Sequence, residues 1–336
     1  MKMKRVLVTF LSILLVMSLA ACNGAPAAPA VQSGKPDDKT AQPAATDKPY
    51  IPVIALGFSH QFWQAVKLGA DQAAADYGVE ITFEGPETET MVDKQVDMLR
   101  TALSKNPVAV CMAAIDNESV ASDLKAVKEK GVKVVGFDAG VGDAADSHCS
   151  TSNYAAGALA AENAARLLNE TGEVAVVGHS QTTVDAVARV DGFVETIKKN
   201  YPNIKIVDVQ YGEGDHLKSA DIAKSMLTAN PEIKLIYASN EGACVGAYNG
   251  IKEINKIGKV MLIGFDSSAA MKEAIRNGEI AGAITQDPVG MGYKAVEAAV
   301  KLVKGEKVDK VIDTGCYWYD ASNMDDEKIA PLLYDW

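Results

Sequence analysis

Cysteine, histidine and positive charge are all scarce in this sequence. Its 336 residues include five cysteines and four histidines, and no CxxC pair or Cys/His spacing typical of a metal site occurs. The formal net charge is −11, whereas nucleic-acid-binding domains are characteristically basic. These absences argue against a metal site and against nucleic-acid binding, and we expect no cofactor.

Complete catalytic motifs are also missing. The stretch GHSQT (178–182) is similar to a nucleophile elbow, but Thr182 stands where the motif needs glycine. GVGDAA (140–145) fits a loose GxGxxA pattern, but no apolar helical periodicity opens after it. His148, His179 and His216 form no ligand spacing. An enzyme is therefore the weaker functional hypothesis.

Four cysteines follow Cys22, and the sequence favours free thiols over disulfides. Cys111 and Cys244 lie in or beside apolar runs, where a free cysteine behaves as a small buried hydrophobic residue. The other two are Cys149 and Cys316.

Only the N-terminus carries an apolar run that approaches the length of a membrane span. Three basic residues within the first five positions precede a stretch from Val6 to about Ala20, which is typical of a secretory signal. It ends in LAAC, and small residues before Cys22 resemble the lipobox of bacterial lipoproteins. This pattern predicts a signal peptide over 1–21 and a lipid anchor on Cys22; an ordinary signal peptide is the alternative.

Residues 22–49 are predicted to form a disordered tether. Five prolines, many alanines and mixed polar residues occur there without apolar periodicity. The folded part then begins near Tyr50, outside the cytoplasm and held away from the membrane. Loss of the signal peptide removes three positive charges and takes the net charge from −11 to −14.

From Ile51 onward, short apolar runs rich in β-branched residues alternate with helical patterns. Continuous apolar strands that alternate with helices predict doubly wound α/β architecture with parallel sheets covered on both faces. The remaining length of about 285 residues suits two domains. The predicted strands are 53–58, 80–83, 108–114, 133–137, 173–178, 205–209, 234–239, 260–265 and 281–285.

An internal repeat indicates two similar lobes. TALSKNPVAVCMAAIDNESV (101–120) matches MLTANPEIKLIYASNEGACV (226–245), and KVVGFDAG (133–140) matches VMLIGFDSS (260–268) at nearly the same offset. The repeat predicts a chain that passes between lobes more than once, with hinge crossings near Ser152, Gln286 and Gly315. The predicted lobes comprise 50–151 with 287–315, and 152–286 with 316–336.

Polar and aromatic residues follow the predicted strands. Ligands of open parallel sheets bind beyond the carboxyl ends of the strands, so two facing lobes would form a cleft from these residues. Aromatic faces pack on sugar C–H groups, and carboxylates and amides bond hydroxyl groups, which favours a small polyhydroxylated ligand. The candidates are Ser59, His60, Phe62, Trp63, Asp116, Asp138, Asn240, Glu241, Asp266 and Gln286.

Each candidate also has a structural interpretation. Phe62 and Trp63 could pack in the core, and Asp138 and Asp266 could be helix N-caps. Three further alternatives are a turn contact for Asn240, a surface loop for Gln286 and a solvated helix position for Arg189.

In order, the stretches QFWQAVKLGA, RVDGF, ASNEGACVGA, LIGFD and ITQDPVGMGYKAVE carry a family resemblance. From Ile51 to about Val308 the chain resembles the periplasmic binding proteins of the ribose, pentose and hexose type, which are sugar receptors of ABC transporters. The resemblance implies the type I fold, two lobes, a monomer, and an ABC transporter permease as partner.

The resemblance also implies ligand positions. His60 stands at a polar position, Phe62 and Trp63 at an aromatic pair, and Asp138 at a carboxylate that grips ring hydroxyls. The second lobe would supply an arginine, an amide, a carboxylate and a hinge glutamine: Arg189, Asn240, Asp266 and Gln286.

Three departures from the ribose pattern put ribose itself in doubt. Ala113 replaces a polar amide, Ala139 replaces an arginine, and Gly214 replaces an aromatic residue that covers the ligand. A hexose, a polyol or a modified pentose is expected instead, with Asp116 or Glu241 as substitute contacts.

A receptor for a sugar-like signal or a nucleoside remains the alternative function. A sugar-responsive repressor shares the architecture, but it needs an N-terminal helix-turn-helix where this chain carries a signal and a tether.

Overall fold

The computed structural model describes residues 48–334. The signal sequence, Cys22 and nearly all of the predicted tether lie outside the described residues. Within them the chain forms two parallel-dominated sheets, each flanked by helices, which confirms the predicted fold class.

The first sheet has six parallel strands in the order β11-β5-β4-β3-β1-β2. Five of its strands alternate with helices along the first part of the chain, and the sixth, β11, comes from near the C-terminus. In chain order the elements are β1 (Tyr50–Ile54), α1 (Gln61–Tyr77), β2 (Glu80–Glu84), α2 (Val92–Leu103), β3 (Ala109–Met112), α3 (Asn117–Glu129), β4 (Lys133–Phe137) and β5 (Ser147–Ser150).

The second sheet has the order β12-β10-β9-β8-β6-β7, and only the pairing of β12 with β10 is antiparallel. Its elements are α4 (Asn153–Leu167), β6 (Gly172–Gly178), α5 (Val184–Asn200), β7 (Ile204–Tyr211), α6 (His216–Ala229), β8 (Ile233–Ala238), α7 (Glu241–Glu253), β9 (Met261–Phe265), α8 (Ala269–Arg276) and β10 (Gly282–Gln286). The chain ends with α9 (Pro288–Val303), β11 (Val311–Asp313) and β12 (Cys316–Tyr319).

Both faces of each sheet are buried under helices. Helices α1 and α9 cover one face of the first sheet, and α2 and α3 cover the other. In the second lobe α4 and α5 cover one face and α6, α7 and α8 the other. Central strands such as β3 are therefore wholly buried, which explains their continuous apolar sequences.

The chain passes between the two sheets three times. It leaves the first sheet after β5, returns after β10, and crosses again between β11 and β12. These crossings occur beside Ser152, Gln286 and Gly315, where the repeat predicts them.

Short polar side chains cap five of the described helices that follow strands. Each accepts a hydrogen bond from the backbone N–H three residues later, which satisfies a free donor of the first turn. The capping residues are Asp116, Asp215, Asn240, Ser268 and Asp287.

Three strands were not predicted, and the predicted first and third strands extend too far. β5, β11 and β12 have three or four residues each, and unlike the four-residue β3 they do not lie within a longer apolar run. The predicted first strand reaches residue 58 and the third reaches residue 114, but β1 ends at Ile54 and β3 at Met112. The four described cysteines are free, and all but Cys316 are buried, as predicted.

Candidate functional site

The carboxyl ends of the two sheets meet around a small cavity of about 20 Å³, here called the enclosed cavity because nearly all of its lining residues are buried. Both lobes contribute to its wall. It is lined by Leu56, His60, Phe62, Trp63, Glu89, Asp138, His179, Asp185, Arg189, Asn240, Asp266 and Gln286. Of the candidates from the sequence, all except Ser59, Asp116 and Glu241 line this cavity.

The N-terminus of α1 contacts the opposite lobe directly. His60 Nε2 donates to the carbonyl oxygen of Gly214 at 3.0 Å. The backbone N–H groups of Gln61 and Phe62 each donate to one carboxylate oxygen of Glu241, at 3.1 Å. Glu241 thus caps a helix of the other lobe, where a carboxylate is favoured by the helix dipole.

Phe62 and Trp63 serve the core and the cavity together. Their side chains are 5% and 2% exposed, and the Phe62 and Trp63 rings meet edge to face. Trp63 also packs on Phe137, and its Nε1 donates to Glu89 Oε1 at 2.8 Å. The core interpretation is confirmed, and the core of the first lobe extends to the cavity wall. Contact of these rings with a ligand stays a prediction.

Asp138 and Arg189 face each other across the lobes. Arg189 is 2% exposed, so the solvated interpretation of this residue is wrong. Its guanidinium lies 3.8 Å from the Phe265 ring centroid and its Nη2 is 3.9 Å from Asp138 Oδ1. Burial and the nearby Asp185 raise the pKa of Asp138 well above its ordinary value, and Arg189 offsets this rise only in part.

Asp138 and Asp266 occupy equivalent positions in the repeat. They follow β4 and β9, and both have left-handed backbone, with φ of 50° and 73°. Neither is a helix N-cap, so that alternative is wrong; Val141 and Ser268 stand at those positions. Strained backbone of this kind is typical of functional sites.

A hydrogen-bonded chain runs from Asp266 to the crossing segments. Gln286 Nε2 donates to Asp266 Oδ1 at 2.7 Å, and Thr151 Oγ1 donates to Gln286 Oε1 at 2.7 Å. Gln286 is 2% exposed and is not a surface loop residue. Asn240 caps α7 through Oδ1 and also lines the cavity; its role as a ligand amide stays a prediction.

Asp116 lies apart from this cavity. It caps α3 by accepting from Ser119 N at 2.7 Å, and it lines a separate, larger chamber between the lobes. Its position after β3 in the sequence does not show which of the two cavities the Asp116 side chain lines.

Three residues that line the cavity were not among the candidates from the sequence: Glu89, His179 and Asp185. Glu89 binds His60 Nδ1 at 2.9 Å, and His179 bonds Asp185 Oδ2 through Nε2 at 2.9 Å. Although burial opposes it, the bond to His179 and the charge of Arg189 lower the pKa of Asp185. Glu89 and His179 follow β2 and β6, so the strand-end rule could have found both.

Two groups at the lobe interface have strongly shifted pKa values. Burial alone would lower the pKa of His60, but the charges of Glu89 and Glu241 and the bonds to Glu89 and Gly214 raise it to about 10. Burial raises the pKa of Glu241 to about 7, opposed by His60 and by the N–H groups of α1. His60 is therefore an imidazolium at neutral pH, with donors on both ring nitrogens.

Residues 48–334 contain neither a metal-binding cluster nor a membrane-spanning helix. No group of His, Cys, Asp and Glu side chains in this part of the chain is arranged to hold a metal ion. None of its helices combines the length and apolar character needed to cross a bilayer.

The chain is similar to known proteins over most of its length. A periplasmic binding protein domain model matches residues 51–307. The D-allose-binding periplasmic protein of Escherichia coli K12 is 26% identical over 265 residues, which cover 76% of this chain and 85% of that protein.

Solved structures show the same architecture. A carbohydrate transporter solute-binding protein from Agrobacterium radiobacter, in complex with D-arabinose, superposes with a TM-score of 0.81 at 31% identity. The match covers 86% of this chain and all of that one. An ABC transporter solute-binding protein from Agrobacterium vitis with bound D-fucose also has a TM-score of 0.81, at 30% identity over 85% of this chain and 100% of its own. These relatives are binding proteins, in agreement with the prediction that the chain is not an enzyme.

Proposed function

Because this chain belongs to the periplasmic binding protein domain family, we propose that it captures a small sugar between its lobes for an ABC transporter. The observation that carries the proposal is the composition of the interlobe cavity. Two aromatic rings lie there beside three aspartates, two amides and an arginine, which come from the strand ends and the following helices of both lobes. Such a wall offers an apolar face for C–H groups and both donors and acceptors for hydroxyls.

Each lobe would hold a different part of the sugar. Phe62 and Trp63 would pack on a ring face, and Asp138 would accept hydroxyl hydrogens from the first lobe. Arg189, Asn240, Asp266 and Gln286 would bond hydroxyl oxygens and hydrogens from the second lobe. His60 would form part of the rim of the site, because both of its ring nitrogens are already hydrogen-bonded to Glu89 and Gly214.

The ligand of this site is proposed to differ from ribose. Ala113 and Ala139 supply no polar side chain where ribose receptors have an amide and an arginine, and Gly214 supplies no covering ring. A hexose, a polyol or a modified pentose suits the cleft better. The relatives with bound D-arabinose and D-fucose support a ligand of this size.

A screen with the full-length protein tests the proposal. Thermal shift and calorimetry would cover D-ribose, D-allose, D-arabinose, D-fucose, D-glucose, D-galactose, polyols and nucleosides. Saturable binding of a sugar or polyol would support the proposal. Binding of nucleosides alone would favour a signal receptor, and binding of none of these compounds would overturn it.

The receptor is proposed to be a monomer anchored outside the cytoplasm through a lipid on Cys22. The support is the sequence pattern of signal, small residues and cysteine. Replacing Cys22→Ser should release the protein from the membrane fraction in cell fractionation while its sugar affinity stays unchanged. Cys316→Ser, at a half-buried position, is the matched control and should leave the protein on the membrane. Unchanged membrane retention of Cys22→Ser would contradict the anchor.

A further inference from the structure

A second cavity lies beside the enclosed one and is far larger. This outer chamber has a volume of about 470 Å³ and is bounded by segments after β2 and β3 in one lobe and after β6 and β7 in the other. Its volume falls within the ordinary range for small-molecule sites. It shares Leu56, Glu89 and His179 with the enclosed cavity, so these three side chains form the partition between the two spaces.

The outer chamber combines apolar and hydrogen-bonding side chains. The first lobe lines it with the apolar Leu56, Val92 and Ile115 and with three polar residues. The second lobe supplies mainly polar groups, among them the hydroxyls and amide of Ser180, Gln181 and Thr182. A wall that combines apolar and hydrogen-bonding groups matches a hydroxylated ring, which has a C–H face and a polar edge.

The charged groups of the outer chamber are already paired. Lys218 Nζ lies 2.9 Å from Glu213 Oε1, and the Asp116 carboxylate accepts from Ser119 N. Glu89 is held by His60 and Trp63. An uncharged occupant is therefore favoured over a phosphorylated or cationic one, because it would leave these pairs intact.

Gly214 packs closely against three residues that line the enclosed cavity. Its φ is +66°, and an added Cβ would lie 3.2 Å from His60 Cε1 and Asn240 Nδ2 and 3.3 Å from Glu89 Oε2. The backbone at this position is therefore close to Glu89, which lines both cavities. A larger side chain here would have to displace these neighbours.

We propose that the outer chamber is a second sugar subsite, so that the receptor binds a disaccharide with one ring in each cavity. This inference rests on the proposed function and narrows its substrate class. The glycosidic linkage would pass the partition formed by Leu56, Glu89 and His179. Gln181 and Thr182 would bond the hydroxyls of the second ring.

Calorimetry on the full-length protein tests the second subsite. The probes are D-glucose with maltose and cellobiose, D-galactose with lactose and melibiose, and adenosine and cytidine. At least one disaccharide should bind about tenfold more tightly than its parent monosaccharide, as expected for two added hydrogen bonds. Thr90→Trp, which fills the chamber from its exposed edge, should abolish this advantage and leave monosaccharide affinity within about twofold.

Controls keep the test independent of folding. Thr101→Trp adds the same ring on the exposed side of α2, and it should change neither affinity. Gln181→Ala should weaken disaccharide binding alone, and thermal melts would confirm that all variants fold. If monosaccharides bind as tightly as every disaccharide, or nucleosides bind best, the second subsite is wrong. If no sugar of either kind binds, the proposed function fails with it.

Discussion

At the residue scale, the cavity contains more carboxyl groups than the surrounding hydrogen-bond donors and positive charges stabilise. Asp185 and Asp266 have hydrogen-bond donors, from His179 and from Gln286 respectively. For Asp138 the nearest charged partner is Arg189 at 3.9 Å, beyond hydrogen-bond distance. Burial and the nearby Asp185 therefore raise the pKa of Asp138. The ionised carboxylate destabilises the fold, but its oxygens stay available to bond a ligand.

Replacing Asp138→Asn should separate stability from binding. The folded-state pKa is raised, so the ionised side chain destabilises the protein increasingly as pH rises above the ordinary range of an aspartate. The variant should gain roughly 1 kcal/mol in unfolding free energy near neutral pH, and less in acid. Its sugar affinity should fall at least about tenfold through loss of a charged acceptor. Chemical denaturation and calorimetry measure the two effects.

Asp143→Asn is the matched control, because Asp143 is exposed in the turn that follows. It should change neither the unfolding free energy nor the sugar affinity. A lower stability for Asp138→Asn would show that the carboxylate is needed by the fold and not by a ligand.

At the element scale, the first turn of α1 is held by the opposite lobe. Glu241 accepts from Gln61 N and Phe62 N, and Ala269 N donates to Gln61 Oε1 at 3.0 Å. With the bond from His60 to Gly214, these contacts join the two lobes directly. Closure should therefore depend on the protonation of Glu241 and His60.

Closure should be favoured by acid. In the closed arrangement the pKa of Glu241 is about 7 and that of His60 about 10, both above their ordinary values. The closed form thus binds more protons than an open form with solvated side chains, and it weakens as pH rises through these values. Small-angle scattering without sugar should show a larger radius of gyration at about pH 9 than at about pH 5.

Glu241→Gln should remove the lower part of this pH dependence, below about pH 7. Glu253→Gln on the exposed end of α7 is the control and should leave the profile unchanged. A pH-independent radius of gyration in the unchanged protein would contradict the role of these contacts.

Two helix pairs, one in each lobe, pack with backbones in close contact. A Cβ at Gly292 of α9 would lie 2.0 Å from Val66 O of α1, and one at Gly157 of α4 would lie 2.1 Å from Arg189 O of α5. The second contact also positions Arg189. Both pairs therefore require glycine where the helices cross.

Gly292→Ala should cost roughly 1–3 kcal/mol of unfolding free energy, because the added methyl group has no space. Chemical denaturation would measure the loss. Ala121→Met enlarges an exposed side chain on α3 and should stay within about 0.5 kcal/mol of the original protein. An equally small effect of Gly292→Ala would mean that α1 and α9 can separate without penalty.

At the scale of the whole molecule, the enclosed cavity is too small for a sugar in the closed arrangement. Its volume of about 20 Å³ corresponds to about one water molecule, so the lobes or their side chains must move to admit a ring. We propose that the three crossing segments form the hinge, because they alone connect the two sheets along the described chain.

Gly315→Ala should alter this motion. Gly315 lies between β11 and β12 with φ of +83°, and an added Cβ would meet no atom closer than 3.6 Å. Gly131→Ala, with φ of +88° inside the first lobe, carries the same strain of roughly 1–2 kcal/mol and is the matched control. Only Gly315→Ala should change sugar-dependent compaction in small-angle scattering. Equal effects of the two variants would argue against a hinge at this crossing.

The sequence by itself determined the architecture and most of the cavity. Apolar strands alternating with helices specify covered parallel sheets, and the repeat specifies two of them. Parallel strands share one carboxyl edge, so residues such as Asp138 and Asn240 could be assigned to a common cleft without coordinates. The short strands β5, β11 and β12 were not predicted because, unlike the four-residue β3, they do not lie within a longer apolar run.

Only the tertiary structure decided how these residues are shared between core, cap and cavity. The bond from Trp63 to Glu89, and the Glu241 carboxylate on α1, join residues 26 and about 180 positions apart. No local sequence pattern predicts which loops come into contact when two lobes close. The separation of Asp116 from the enclosed cavity, and the outer chamber itself, likewise depend on the angle between lobes, which the sequence pattern of neither lobe contains.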